Sequence, residues 1–143
     1  MEVLNNIVFY SLDKAIKSYR QFAQKQLKAA GFTITIDQWL VLKAIEEDNS
    51  ISQQEIAARV FKDVASITRI IELLVTNNLL SRHFHPADRR RFELKLTPEG
   101  KKTMENLKPY IQANRKKALK GIAAGDISRL QKTLDQIIKN VSS

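Results

Sequence analysis

The chain has 143 residues, 43% of them hydrophobic, which is enough for a single globular domain with its own core. It contains no cysteine, which excludes disulfides, zinc-thiolate sites and thiol redox sensing. No segment approaches the roughly 20 apolar residues of a membrane span, so we expect a soluble, cytoplasmic protein with no membrane partner. The formal net charge of +9 is compatible with an anionic partner.

The first predicted element is a long amphipathic helix over residues 4–30, in which apolar residues recur at helical spacing. Gly31 ends it, as a helix C-terminal glycine does. Thr35 and Gln38 then have the spacing of a capping box, which predicts a second helix through about Glu47.

Two short helices are predicted next, separated by a break at residues 61–63. Ser52 and Glu55 form a second capping box at the start of the first of them. Asp63 is the predicted cap of the other. The apolar stripe of that second helix consists of Val64, Ile67, Ile70, Ile71 and Leu74.

The opposite side of that second helix is small and polar. It carries Ala65, Arg69, Glu72 and Thr76, flanked by Ser66 and Thr68. Such a face fits a DNA major groove, because its bulk is low and its donors point outward. The alternative is an ordinary amphipathic helix on the protein surface.

A β-hairpin is predicted after the helix pair. Residues 80–85 and 91–96 alternate between apolar and polar side chains, and a loop over residues 86–91 joins them. Its three consecutive arginines, at positions 89–91, repel one another unless an anionic surface such as a phosphate backbone or a minor groove neutralises them. A solvated charged face is the alternative.

The C-terminal part is predicted to be helical. A fifth helix begins at Pro98 and runs to about Lys120, and a break follows between Gly121 and Gly125. Asp126 is the predicted cap of the last helix. The apolar stripe of that helix consists of Ile127, Leu130, Leu134, Ile137, Ile138 and Val141.

The two ends of the chain have more apolar surface than the middle can cover. A module of about fifty residues cannot bury the apolar faces of both the first and the last helices. A second copy of the chain is the natural cover, since two-fold dimers are the commonest closed assembly. The alternative is a compact monomer in which these helices pack back on their own module.

Five segments carry a resemblance to a known family: residues 35–38, 52–58, 66–74, Asp88 with Arg90, and residues 96–100. In order and spacing they resemble the successive motifs of the MarR family of bacterial transcription regulators. The resemblance implies a mainly α fold with a small β-hairpin wing, a winged helix-turn-helix at residues 34–98. It also implies N- and C-terminal dimerisation helices, at residues 1–31 and 101–143. The sequence departs from the family at Phe61, where a small residue is usual, and at Asn78, which stands where glycine is usual.

The resemblance also implies a function. The expected protein is a homodimer that binds a palindromic operator in double-stranded DNA and represses transcription. A small aromatic or phenolic ligand would bind between the dimerisation helices and the DNA-binding region and relieve the repression. A winged-helix module that contacts protein or RNA, without an operator, is the rival interpretation.

The candidate DNA-contacting residues lie on the helix pair and the wing. We expect Arg69 to bond a guanine edge, and the family motif assigns Arg90 to the minor groove. We interpret Asp88 as orienting the turn and not as a DNA contact, because an anion that faced phosphate would be repelled. The full set is Gln53, Lys62, Ala65, Ser66, Thr68, Arg69, Arg89, Arg90 and Arg91.

Other chemistry finds little support, and we expect no catalytic residues, no metal and no cofactor. His83 and His85 share a strand face, but histidines on a wing more often contact phosphate or solvent. The aromatic residues Trp39, Tyr10, Tyr19 and Tyr110 line a ligand crevice or, more commonly for this spacing, belong to the core. The basic run from Arg115 to Lys120 contacts phosphate or, in the favoured interpretation, coats an exposed helix.

Overall fold

The computed structural model describes residues 1–142, apart from the side chains of residues 89–91. A short 3-10 turn at Leu4–Asn6 precedes the first helix. The elements are then α1 (Val8–Ala29), α2 (Ile36–Glu47), α3 (Gln53–Val60), α4 (Val64–Thr76), β1 (Leu80–His85), β2 (Asp88–Leu96), α5 (Pro98–Ala118) and α6 (Ala124–Val141). This is the predicted fold class, mainly helical with one antiparallel hairpin. In the described residues, no helix has both the length and the apolar character needed to span a bilayer.

The core lies in the middle of the chain, where α2, α3, α4, the base of the hairpin and α5 meet. Ile45, Ile56, Ile71, Leu74 and Leu107 are fully buried there. The predicted stripe of α4 is buried at Ile67, Ile71 and Leu74 and half-buried at Ile70, whereas Val64 is 43% exposed. Val64 is the first residue of the helix, next to the cap residue Asp63.

A left-handed residue follows the end of α4. Asn78 has φ 61°, and the N–H groups of Asn78 and Leu79 donate to the carbonyls of Val75 and Leu74. This pair of hydrogen bonds at the end of a helix is the Schellman arrangement, so Asn78 makes the left-handed turn at the position where the family usually has glycine.

The start of α5 is fixed against the end of α4. Thr97 caps the helix, as its Oγ1 accepts from the Gly100 N–H at 2.9 Å and donates to the Asn78 carbonyl at 2.6 Å. Gly100 is buried so closely that a Cβ added to it would lie 2.1 Å from the Leu79 carbonyl oxygen. The backbone just after α4 and the backbone at the start of α5 are therefore in direct contact.

We expect Gly100→Ala to lower the free energy of unfolding by at least about 1 to 3 kcal/mol, because backbone must move to admit the methyl group. Gly125→Ala is the matched control, since its added Cβ would lie 4.0 Å from the flexible Arg129 guanidinium and no nearer to other atoms. Alanine is favoured over glycine inside a helix, so the control is expected to be neutral or slightly stabilising. Urea denaturation of both variants measures the difference. Equal stability of the two would contradict this interpretation of the junction.

The terminal helices are packed only in part. Ala23 and Leu27 are the residues of α1 that reach the core, whereas Phe9 is 60% exposed. None of the described residues of α6 is buried, and Ile138 is 60% exposed. The apolar faces of both helices thus lie open in the single chain.

Two predictions about these helices are wrong in detail. The first helix does not run unbroken from residue 4, because Ile7 is extended and separates the 3-10 turn from α1. Asn5 and Asn6 precede the break, and asparagine favours turns over helix interiors. The cap of α6 is Ala123 and not Asp126, which lies in the first turn, so Gly125 also falls inside the helix. Asp126 accepts from Arg129 at 3.0 Å and, as an anion in the first turn, suits the helix dipole.

Candidate nucleic-acid interface

The helix pair α3 and α4 is held at both starts by side-chain caps. Ser52 Oγ accepts from the Glu55 N–H at 3.1 Å, which is the half of the predicted capping box that the structure gives. Asp63 accepts from the Ser66 N–H at 2.8 Å and from the Ser66 hydroxyl at 2.9 Å. Both helices therefore begin where the sequence predicted.

The two bonds from Ser66, the backbone bond first, hold the pKa of the Asp63 carboxyl below its usual value of 3.8. The carboxylate form is thus favoured in the folded chain. Its contribution to stability is present above the unfolded pKa and is lost as the pH falls through the lower folded pKa. The cap is intact at neutral pH.

The face of α4 that points away from the core carries the residues predicted to lie there. Ala65, Arg69, Glu72 and Thr76 are exposed, and Ser66 is half-buried. An Arg69 guanidinium nitrogen lies 3.4 Å from Ser66 Oγ, so this side chain lies over the first turn of the helix. Small residues, a hydroxyl and a guanidinium therefore share one accessible surface.

Three of the predicted contact residues, Gln53, Lys62 and Thr68, are engaged within the protein. Thr68 Oγ1 lies 3.1 Å from Gln53 Oε1 and 3.0 Å from the Val64 carbonyl oxygen, which joins α3 to α4. Lys62 lies 3.2 Å from an Asp37 oxygen, and Arg20 of α1 lies 3.3 Å from the other oxygen of the same carboxylate. Asp37 thus links α1 to the turn between α3 and α4.

The second strand of the wing is longer than predicted. Leu80 pairs with Leu96, Arg82 with Leu94 and Phe84 with Phe92, as the alternating pattern requires. The predicted loop over residues 86–91 is wrong, because β2 begins at Asp88 and leaves Pro86 and Ala87 as the turn. A register shift between Phe84 and His85 takes up the additional residues of β2. The side chains of Arg89, Arg90 and Arg91 lie outside the described part of the structure.

The wing also has an aromatic cluster near its end. The rings of Phe84 and Phe92 lie 5.1 Å apart, and the Arg82 guanidinium is 5.3 Å from the Phe92 ring centre. Arg82 Nε is buried without a hydrogen-bond partner in the described residues. His83 lies 3.1 Å from Ser81 Oγ, and His85 accepts from the Ala87 N–H. No group of three potential metal ligands occurs among the described residues.

A cavity of about 190 Å³ lies between α1, α2 and α5. Apolar side chains line most of it, together with Tyr19, Trp39, Arg20, Arg115 and the buried Asn114. Tyr19 and Trp39 therefore lie at a crevice, whereas Tyr10 and Tyr110 do not line this cavity.

Two cations of the run at residues 115–120 pack on rings. Arg115 lies 5.9 Å from the Trp39 ring centre, and Lys117 lies 5.3 Å from that of Phe22. The run is exposed, as the favoured interpretation expects.

The sequence did not predict the burial of Asn114 or the exposure of Phe61. Asn114 is 6% exposed and follows Met104, Leu107 and Ile111 at helical spacing, so a polar residue on an apolar stripe was the available signal. Phe61 ends α3 in a left-handed conformation and is 88% exposed. The sequence shows its position in the turn but does not predict its exposure, because aromatic residues are usually buried.

Comparison with known proteins agrees with this geometry. Residues 34–92, which contain α2, α3, α4 and most of the wing, match the MarR family. The HTH-type transcriptional repressor IacR of Pseudomonas putida is 22% identical over 135 residues, which are 94% of this chain and 80% of that protein. The HTH-type transcriptional regulator SarZ of Staphylococcus epidermidis is 29% identical over 107 residues, which are 75% of this chain and 68% of that protein.

Solved structures share the whole fold. BpsR of Bordetella bronchiseptica superposes with a TM-score of 0.87 at 21% identity, over 100% of this chain and 99% of that one. A MarR-family transcriptional regulator from Silicibacter pomeroyi superposes with a TM-score of 0.79 at 18% identity, over 98% of this chain and 93% of that one. Residues 34–92, with their capped helix pair and most of the wing, therefore match the MarR family of transcription regulators, and the whole chain shares the fold of the solved MarR-type structures.

Proposed function

We propose that this regulator is a homodimeric repressor that inserts α4 of each subunit into the major groove of a palindromic operator. The observation that carries the proposal is the exposed face of α4, where Ala65, Ser66 and Arg69 lie together at the capped start of the helix. The N-terminal residues of a recognition helix are those that contact base edges. The wing arginines at positions 89–91 would contact the backbone or the minor groove beside it.

The homodimer is supported by the open apolar faces of the terminal helices. Val8, Phe9 and Ile16 of α1 are exposed by 49 to 60%, and Leu130, Ile138 and Val141 of α6 by 49 to 76%. Large exposed apolar faces mark protein interfaces. A two-fold dimer covers them with the same faces of a second copy and presents two α4 helices to the two halves of a palindrome. In this proposal residues 1–31 and 101–143 form the dimerisation region, and residues 34–98 bind DNA.

Selection of bound sequences from random DNA duplexes tests the proposal. We expect an inverted repeat, because two symmetry-related α4 helices read the same half-site in opposite directions. The rival function, a module for protein or RNA contact, predicts no enriched duplex sequence. A single unrepeated site would contradict the dimeric arrangement.

We also propose that a small aromatic anion binds in the cavity between α1, α2 and α5 and relieves repression. Aromatic and apolar walls with two guanidinium groups, from Arg20 and Arg115, suit a ring that carries a carboxylate or a phenolate. In BpsR, 6-hydroxynicotinic acid regulates DNA binding. Asp37 supplies the link to DNA, since it contacts Arg20 at the cavity and Lys62 in the turn before α4. An anion that draws Arg20 away would change the partners of Asp37 and thereby those of Lys62.

Asp37→Asn is expected to uncouple this ligand from DNA. An aromatic acid such as salicylate at a hundred times its Kd should stabilise both proteins by about 2.7 kcal/mol, seen as a higher melting temperature. In the wild type it should also lower operator affinity, and in Asp37→Asn this second effect should be reduced. Lys43→Gln is the control, because the Lys43–Glu46 pair lies within α2 and does not involve Asp37. Equal loss of operator affinity in all three proteins would rule out the Asp37 link.

A further inference from the structure

Phe61 adopts a backbone conformation that is unfavourable for phenylalanine, and the packing of the fold does not require a phenylalanine there. Its φ and ψ are 62° and 43°, in the left-handed region, where residues other than glycine, asparagine and aspartate are strained. The ring is 88% exposed, so it contributes little to the core in return. Glycine would make the same turn without strain and without an exposed ring. Strain of this kind persists mainly at functional sites.

The location of Phe61 beside the start of α4 points to a role in DNA contact. It lies at the end of α3, two residues before Asp63, the cap of α4. Val64 is 43% exposed and Ala65 is also exposed, so with Phe61 three exposed apolar side chains lie within five positions of the chain at the start of α4. We name Phe61, Val64 and Ala65 the turn patch. It adjoins Ser66 and Arg69 at the end of the helix that is proposed to enter the major groove.

The chemistry of the major groove limits what the turn patch can contact. Base edges there are hydrogen-bond donors and acceptors, except for the 5-methyl group of thymine, which is apolar. A phenyl ring and aliphatic side chains offer no partner to the polar edges, but they bury a methyl group favourably. Phosphate contacts would need the cations and hydroxyls that the patch lacks.

We propose that the turn patch, with Phe61 as its principal contact, reads thymine methyl groups in each operator half-site. The inference rests on the proposed insertion of α4 and adds a specificity that Ser66 and Arg69 cannot provide. The operator half-site then contains thymine at the positions that face the start of α4, beside the base contacted by Arg69.

Replacing thymine by deoxyuridine tests the contact, since this removes only the 5-methyl group. Each thymine of the selected half-site is replaced in turn, and Kd is measured by fluorescence anisotropy. The wild type should bind about fourfold more weakly when the critical methyl group is missing, the factor that corresponds to roughly 0.8 kcal/mol for one buried methyl-sized group. Phe61→Gly should bind the thymine duplex more weakly than the wild type and no longer distinguish thymine from deoxyuridine.

Asn78→Gly is the matched control, because Asn78 is also left-handed, with φ 61°, but lies at the opposite end of α4. It should keep the fourfold discrimination. Phe61→Gly should melt at the wild-type temperature or above, because it relieves strain and removes no buried contact. If Phe61→Gly then fails to distinguish thymine from deoxyuridine, the failure does not result from unfolding.

Each outcome separates this inference from the proposed function. A wild type that selects no duplex sequence overturns both. A wild type that binds an inverted repeat but ignores every methyl group overturns the thymine contact alone. Equal weakening of Phe61→Gly on thymine and deoxyuridine duplexes, with discrimination retained, assigns Phe61 to the sugar-phosphate backbone and also overturns it.

Discussion

Aspartate at both Leu130 and Ile138 is expected to convert the proposed dimer to a monomer and to weaken operator binding by a factor of about 10² or more. Both side chains are exposed in the single chain, at 49% and 60%, so neither substitution creates a buried charge within one subunit. In the dimer the same positions would face the partner, where unpaired charges are costly. A monomer engages only one half-site and loses the intramolecular second contact. Light scattering gives the mass, and anisotropy gives the operator Kd.

Lys132→Asp is the control for this double variant. It changes the net charge by the same −2, but Lys132 lies opposite the apolar stripe of α6 at helical spacing. We expect it to remain a dimer and to show only the loss of affinity that its charge causes. A double variant that stays dimeric, or a monomer with wild-type affinity, would contradict the proposed assembly.

Arg69→Ala is expected to weaken operator binding by about 1 to 3 kcal/mol, about five- to 150-fold, and to relax sequence preference at one base position. Arg69 lies on the exposed face of α4 and extends over the first turn towards Ser66, where a guanidinium can reach a guanine edge. Repeating the selection with this variant shows which position of the consensus is lost.

Arg90→Ala serves as the contrast on the wing. A phosphate or minor-groove contact carries little base identity, so affinity should fall on all duplexes, and the slope of log K against log salt should decrease by about one. The major-groove consensus should be unchanged. If Arg90→Ala altered the consensus and Arg69→Ala did not, the roles of helix and wing would be reversed.

The parts of this fold that were predicted from the sequence depend on local chemistry. Thr35, Ser52 and Asp63 cap helices at the predicted residues, because a side-chain oxygen that accepts from the third residue of the helix is a short-range signal. The wing register followed from alternation, since Leu80 and Leu96 must share the buried face.

The errors occur where competing local signals are nearly equal. Asp126 and Ala123 compete for the start of α6, and the extended backbone of Ala123 decides it although aspartate is the better cap by type. Pro86 and three arginines indicated a loop, but a register shift extended β2 back to Asp88. The candidate site was predictable as a face of α4. The exposure of Phe61 and the link from Asp37 to Lys62 were not, because they depend on how separate elements pack.

The proposed function depends on two α4 helices occupying successive major grooves. Footprinting of the selected operator shows whether they do. Hydroxyl-radical cleavage and guanine N7 methylation are measured on both strands with wild-type protein. We predict two protected segments about one helical turn apart, roughly 10 to 10.5 base pairs or a multiple of this spacing, related by two-fold symmetry. Guanine N7 should be protected within each half-site and lose that protection in Arg69→Ala. Protection of a single segment, or of the minor groove alone with every guanine N7 still reactive, would contradict the insertion of α4.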